Sequence, residues 1–107
     1  MTLHIMSTSP FVSNVVENVL SRCVKDDGII LIQDAVYCLA HLPTLNALFD
    51  LHKNKDIACY TLEDDMTARG SFFAHRKIDI APTDFIKRVS VEKFVTLTLE
   101  HHQVISW

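Results

Sequence analysis

The stretch LIQDAVYCLAH, residues 31–41, decides how this chain is read. It follows Gly28, Ile29 and Ile30, so an aliphatic run passes directly into Gln33 and Asp34, then into Val36-Tyr37-Cys38-Leu39. Four aliphatic residues in succession, Ile29 to Ile32, fit a strand covered on both faces, where alternation is lost because neither face meets water. Asp34 to Ala40 reads as a helix that Pro43 interrupts. A buried strand ending in an acid and entering a helix is the repeating unit of a parallel sheet.

The same alternation extends in both directions. Leu3 to Met6 is a short apolar strand that ends at STSP, where Ser7, Thr8 and Ser9 offer caps and Pro10 suits a first helical turn. From Phe11, the residues Val12, Val15, Val16, Val19, Leu20 and Cys23 recur at three- and four-residue intervals. This predicts an amphipathic helix that Lys25-Asp26-Asp27-Gly28 closes. Beyond Pro43, Thr44 can cap a further helical piece carrying Leu45, Leu48, Phe49 and Leu51. Ile57 to Leu62 is the next strand, and Glu63 to Arg69 gives one or two helical turns. Ser71 to Pro82 fits a loop with a short helix. Ile86 to Val91 is a fourth strand, a last helix starts at Ser90 or Val91, and VISW forms a terminal strand. The expectation is a three-layer α/β/α domain with a mostly parallel sheet, spanning residues 1–107 as a single unit.

The bulk composition narrows the function. Of 107 residues, 49% are apolar and 21% charged, as in a folded globular chain. The net charge of −3 argues against holding nucleic acid by its phosphates, because that binding draws on clustered Lys and Arg. Only Arg76-Lys77 and Lys87-Arg88 are close basic pairs, so direct nucleic-acid binding is not expected. No apolar run is long enough to cross a bilayer, and MTLHIMSTSP has no positive region ahead of an apolar one. These features predict a cytoplasmic protein whose three cysteines are free thiols.

In parallel sheets, ligands gather outside the carboxyl ends of the strands. Here those positions are Ser7 to Ser9, Gln33-Asp34, Glu63 to Asp65 and Glu92-Lys93, rich in acids and poor in glycine. No glycine-rich phosphate loop is present, so a nucleotide site is not expected. Cys38, inside AVYCLA, is either a nucleophile or a small buried hydrophobe. No neighbouring cation stabilises its thiolate, which favours burial. Cys59 falls within a strand and reads as core. Cys23 lies near Arg22 and Lys25, but a helix C-terminus disfavours a thiolate. Glu63, Asp64 and Asp34 could be working carboxylates, or acids that complement the starts of their helices. The six histidines show no ligand spacing, the adjacent His101-His102 included, so neither a metal nor a cofactor is expected.

Four segments occur in an order that resembles a known family: LHIMSTSPF, ILIQDAVY, YTLEDDMTARG and EKFVTLTLEHHQVISW. Together they resemble the TusB/DsrH family of small sulfur-relay subunits over nearly the whole chain, apart from an insertion around residues 75–83. The resemblance implies a five-stranded parallel α/β/α domain that assembles with TusC-like and TusD-like sister subunits. Such a complex passes persulfide sulfur to a TusE-like acceptor, on the route to 2-thiolation of the tRNA wobble uridine. A comparable DsrH-containing complex serves sulfur oxidation, and a cysteine persulfide carrier in its own right is the further alternative.

The resemblance also speaks to the thiols. In the sister subunits a persulfide-bearing cysteine precedes the helix ending in Arg-Gly, and counting back from Arg69-Gly70 places that position near Leu62, which cannot carry sulfur. Cys23 lies about a turn beyond a cysteine found in some DsrH proteins, and Cys38 stands where a small residue is usual. Ala35 replaces the glycine of QDGVY, a change that disfavours a left-handed backbone there. The resemblance therefore implies a non-catalytic subunit, with Cys23 and Cys38 as the remaining thiol candidates. Its strand-end surface would comprise Gln33, Asp34, Tyr37, Glu63 and Asp64. Phe72, Phe73, Ile105 and Trp107 lie outside the clearest core elements and are candidates for a subunit interface.

Overall fold

The structure, a computed structural model, describes residues 1–12, 14–70 and 85–107. Strands β1 (Thr2–Met6), β2 (Gly28–Leu31), β3 (Ala58–Leu62), β4 (Ile86–Val89) and β5 (Gln103–Ser106) form one five-stranded sheet in the order β4-β3-β2-β1-β5. Every neighbouring pair is parallel. β2 lies at the centre and all four of its residues, GIIL, are buried, which is why it lacks polar alternation.

Among the described residues, the connecting helices are α1 (Val15–Arg22), a 3-10 helix (Gln33–Ala40), α2 (Leu42–Lys55), α3 (Glu63–Ala68) and α4 (Val91–Glu100). Strands β1 to β4 step in one direction across the sheet, and β5 returns to the far edge. Right-handed crossovers then put the first connections on one face and the last on the other. The packing follows this rule. On one face Val16, Val19, Val36, Leu39, Leu45, Leu48 and Met66 pack on Met6, Ile29, Leu31, Cys59 and Ile86. On the other, α4 brings Leu97 and Phe94 against Leu3, Ile30 and Val89.

Several expected boundaries shift for physical reasons. α1 begins at Val15, not Phe11, leaving Phe11 and Val12 exposed. Ser9 accepts the Phe11 N–H on its side chain and the Val12 N–H on its carbonyl, so the Ser-Pro sequence builds a turn and the helix starts beyond it. The QDAVYCLA segment is a 3-10 helix, and Pro43 opens α2 instead of breaking a helix. Thr44 lies inside α2, where its hydroxyl pairs with His41 Nδ1 at 2.7 Å. The left-handed residue near the end of β2 is Gln33, with φ 49°, and not Ala35, which is fully buried. Phe72, Phe73 and the insertion at 75–83 lie outside the described residues.

Candidate functional site at the carboxyl ends of the strands

The helix after β3 packs on one face of the sheet and the helix after β4 on the other, so the chain parts between these neighbouring strand ends. Leu62 and Val89 are register partners at this crevice. Leu62 is nearly buried. The position beside the crevice thus carries a hydrocarbon and no nucleophile.

Around it, α3 and the 3-10 helix are tied by polar contacts. Arg69, just past α3, donates from Nη2 and Nε to Asp34 Oδ1 at 2.8 and 3.1 Å. Its guanidinium lies 5.8 Å over the Tyr37 ring, and Nη1 reaches the Asp65 carbonyl at 3.2 Å. The hydrogen bond with Asp34, ahead of every other cause, raises the pKa of Arg69. Asp65 Oδ2 accepts the N–H of Gln33 at 2.7 Å. That bond holds a left-handed, non-glycine backbone at the end of β2, a conformation with a steric cost.

The structure thus brings together three expected residues, Gln33, Asp34 and Tyr37. Glu63 and Asp64 stand exposed at the start of α3, outside these contacts. Asp65 and Arg69 join Gln33, Asp34 and Tyr37 there. Arg69 served in the sequence only as a landmark, because a partner 35 positions away leaves no periodic trace. Asp34 neither caps its helix by a side-chain bond nor stands apart as a free carboxylate.

The thiols lie elsewhere. Cys23, Cys38 and Cys59 are all buried and unpaired by disulfides. Burial, aided by the charge of Asp27, pushes the Cys23 thiol up to about 11, and Lys55 only partly opposes this. Lys55 of α2, whose Nζ donates to the Cys23 carbonyl at 3.4 Å, is a neighbouring cation that chain order did not suggest. Burial pushes Cys38 and Cys59 up to about 12. Among the described residues no cluster of three His, Cys, Asp or Glu side chains could hold a metal ion. Nor is any helix among them long and apolar enough to cross a membrane.

Ile105 and Trp107 are half-buried at the β5 edge. A groove of about 400 Å³ runs between α1 and the start of α2, lined by Pro10, Val16, Leu20 and Pro43, with Glu17 and His41 as its ionisable members. Phe11 meets the His41 ring edge-on at 5.2 Å.

These features define a small, all-parallel α/β/α domain with a polar crevice at its strand ends that holds no cysteine among the described residues. A family model described as "DsrH like protein" matches residues 8–104, and the chain belongs to that family. It is 31% identical over 105 residues to "Protein TusB" of Buchnera aphidicola subsp. Baizongia pistaciae, covering 98% of this chain and 99% of the relative. "Protein TusB" of Yersinia pestis (strain Pestoides F) is likewise 31% identical over 106 residues, with the same coverage. Among solved structures, the ychN protein from E. coli superposes with a TM-score of 0.65 at 15% identity, covering 99% of this chain and 97% of that one. That likeness establishes the shared fold.

Proposed function

We propose that this chain is a TusB-like, non-catalytic subunit of a TusBCD-type sulfur-transfer complex, acting in the cytoplasm to support 2-thiolation of the tRNA wobble uridine. Its partners in this reading are TusC-like and TusD-like sister subunits, with a TusE-like acceptor reached through the complex. Membership of the DsrH-like family and the full-length similarity to TusB proteins support it.

The observation that carries the non-catalytic part is the state of the three thiols. A sulfur carrier needs an accessible thiolate to attack a persulfide and hand it on. Cys23, Cys38 and Cys59 are 1%, 0% and 2% exposed. A thiol with a pKa near 11 is ionised in about one molecule in ten thousand at neutral pH. Leu62 offers nothing in their place. The chain then contributes surface instead of chemistry. The strand-end residues Gln33, Asp34, Tyr37, Glu63 and Asp64, together with Ile105, Trp107, Phe72 and Phe73, are the parts proposed to meet sister subunits.

The test is a reconstituted complex in which all three cysteines are changed to alanine. Labelled persulfide sulfur should reach the acceptor at the wild-type rate. A folded triple variant that abolishes transfer, or label trapped on a cysteine of this chain, overturns the non-catalytic assignment. Deleting the gene should remove 2-thiouridine from tRNA. Intact thiolation with lost sulfur oxidation would instead assign the chain to the other DsrH-type process.

A further inference from the structure

The seat of Trp107 depends on the protonation state of one buried ring. An indole has a single hydrogen-bonding group, its N–H, and that group only donates. Here it points at Nδ1 of His4, 3.2 Å away. The other ring nitrogen, Nε2, faces Asp27 Oδ2 at 3.1 Å. Neutral imidazole serves both neighbours in one tautomer, with its hydrogen on Nε2. Imidazolium carries hydrogen on both nitrogens and has no acceptor. Flipping the ring exchanges the nitrogens but presents a donor again. A second proton on His4 and the bond from Trp107 therefore exclude each other.

The partners of His4 differ in their freedom to move. The His4 and Asp27 side chains are 2% and 4% exposed. Asp27 is also fixed by the backbone, since Oδ1 accepts the Thr2 N–H at 3.0 Å and Oδ2 the Val24 N–H at 3.1 Å. Trp107 is only half-buried and follows the edge strand β5. Within β5 only Ile105 is even partly covered, and Gln103, Val104 and Ser106 are exposed. Besides the indole bond, Trp107 is held by its N–H on the Ile5 carbonyl and by the Ser7 hydroxyl on its own carbonyl. A donor facing a donor is thus relieved by displacing Trp107, the less constrained side.

The surrounding charges act in both directions. The Asp27 carboxylate favours the imidazolium. The Arg22 guanidinium of α1, 6.0 Å from the centre of the Trp107 ring, opposes it. So does Lys55 at the end of α2, which acts with Asp27 on the neighbouring Cys23 and has the exposed Asp26 beside it. Cys23 and Cys59, pushed up to about 11 and 12, are uncharged near neutral pH. His101 overlies Gly28, which shares the face of Leu3, so it lies across the sheet from His4.

We propose that His4 and Trp107 form a proton-operated latch. Uptake of a second proton by His4 drives the indole off its seat and loosens the end of β5 from β1, while the rest of the sheet stays folded. The chemistry is a protonation at Nδ1. Solvent supplies the proton, an N–H bond forms, and the indole N–H passes from Nδ1 to water. Release presents an aromatic side chain at the sheet edge. By linkage, anything that binds the released indole takes up a proton and binds more tightly as pH falls. The latch is independent of the sulfur-relay reading.

Trp107 is the only tryptophan of the chain, so its fluorescence reports the latch alone. The purified full chain should be acidified from about pH 8.5 to about pH 5, across the range in which imidazole groups change charge. Asp27, whose pKa is lowered, stays ionised throughout. The emission maximum should move to the red and acrylamide quenching should rise severalfold, reversibly, with an unchanged far-ultraviolet circular dichroism spectrum. His4→Gln keeps an acceptor for the indole and a donor for Asp27 but cannot take the proton, so the transition should vanish. If that variant fails to fold, nuclear magnetic resonance on the wild type decides. The His4 ring and the Trp107 indole N–H should then titrate with one shared midpoint. The proposal is overturned by emission and quenching that stay flat to pH 5, or by a change that coincides with loss of the circular dichroism signal. A transition that persists in folded His4→Gln, or separate midpoints for the two rings, also overturns it.

Discussion

Trp107 and His4, 103 positions apart, are joined by a hydrogen bond from the indole Nε1–H to His4 Nδ1 at 3.2 Å. Because Nδ1 accepts, a neutral His4 must carry its proton on Nε2, which faces Asp27 Oδ2 at 3.1 Å. Asp27 in turn accepts the N–H groups of Thr2 and Val24. The backbone follows the same path. The Trp107 N–H donates to the Ile5 carbonyl, and the Ser7 hydroxyl to the carbonyl of Trp107. One polar chain thus ties the edge strand β5 to β1 and to the start of β2. Its members His4 and Asp27 are almost fully buried, so each needs its partners.

Trp107→Phe keeps a ring against the core and removes the donor, leaving Nδ1 of His4 without its bond. The expected loss is about 1–3 kcal/mol, which for a domain of this size lowers the melting temperature by several degrees per kcal/mol. Thermal unfolding by circular dichroism reads it directly. A melting curve superimposable on wild type would show that the bond contributes nothing.

Asp27 gives a pH signature. Burial pushes its pKa up, but the hydrogen bonds from Thr2, Val24 and His4 outweigh it, and the net shift is below the usual 3.8. A depressed folded pKa means that the carboxylate stabilises the fold above about pH 4, and that this contribution fades as pH falls through the lower folded value. Asp27→Asn should therefore be less stable than wild type in urea at pH 7. The gap between the two should narrow steadily below pH 4. A gap that stays constant to pH 2 contradicts the linkage.

The cysteines should be inert in the native state. With thiols at about 11 and 12 and almost no exposure, iodoacetamide at pH 7.5 should leave Cys23, Cys38 and Cys59 unmodified and label all three in denaturant. Intact mass spectrometry counts the adducts. Rapid native labelling of Cys23 or Cys38 would reopen a carrier role for that residue.

Arg69→Ala removes the contacts to Asp34, Tyr37 and the Asp65 carbonyl together. Asp34 is more than half exposed, so the ion pair itself adds little to stability and the expected cost is below about 1 kcal/mol. If the strand-end surface meets a sister subunit, the same change should weaken that association by about tenfold, because Arg side chains in planar contacts are frequent anchors. Arg69→Lys should restore charge without restoring affinity. Unchanged affinity in both variants would remove the strand-end surface from the interface.

Most of the layer order was legible from local pattern. The aliphatic run at Ile29 to Leu31 and the three- and four-residue spacing of Val16, Val19 and Cys23 each report burial at their own positions, and the last helix starts where Ser90 accepts the Lys93 N–H. The burial of Cys38 followed from AVYCLA in the same way. Cues with two local meanings were less clear. Ser9-Pro10 opens either a turn or a helix, and Pro43 either breaks a helix or starts one.

The sequence by itself determined the alternation of strand and helix, the two-sided burial of β2 and the burial of Cys38, because each depends on neighbours a few residues away. Tertiary structure alone decided that β5 pairs with β1, that Arg69 reaches Asp34 and that Trp107 closes on His4 and Asp27. Those contacts join residues separated by tens of positions. They exist only once the strand order and the hand of each crossover have placed the elements side by side, and no local periodicity encodes that placement.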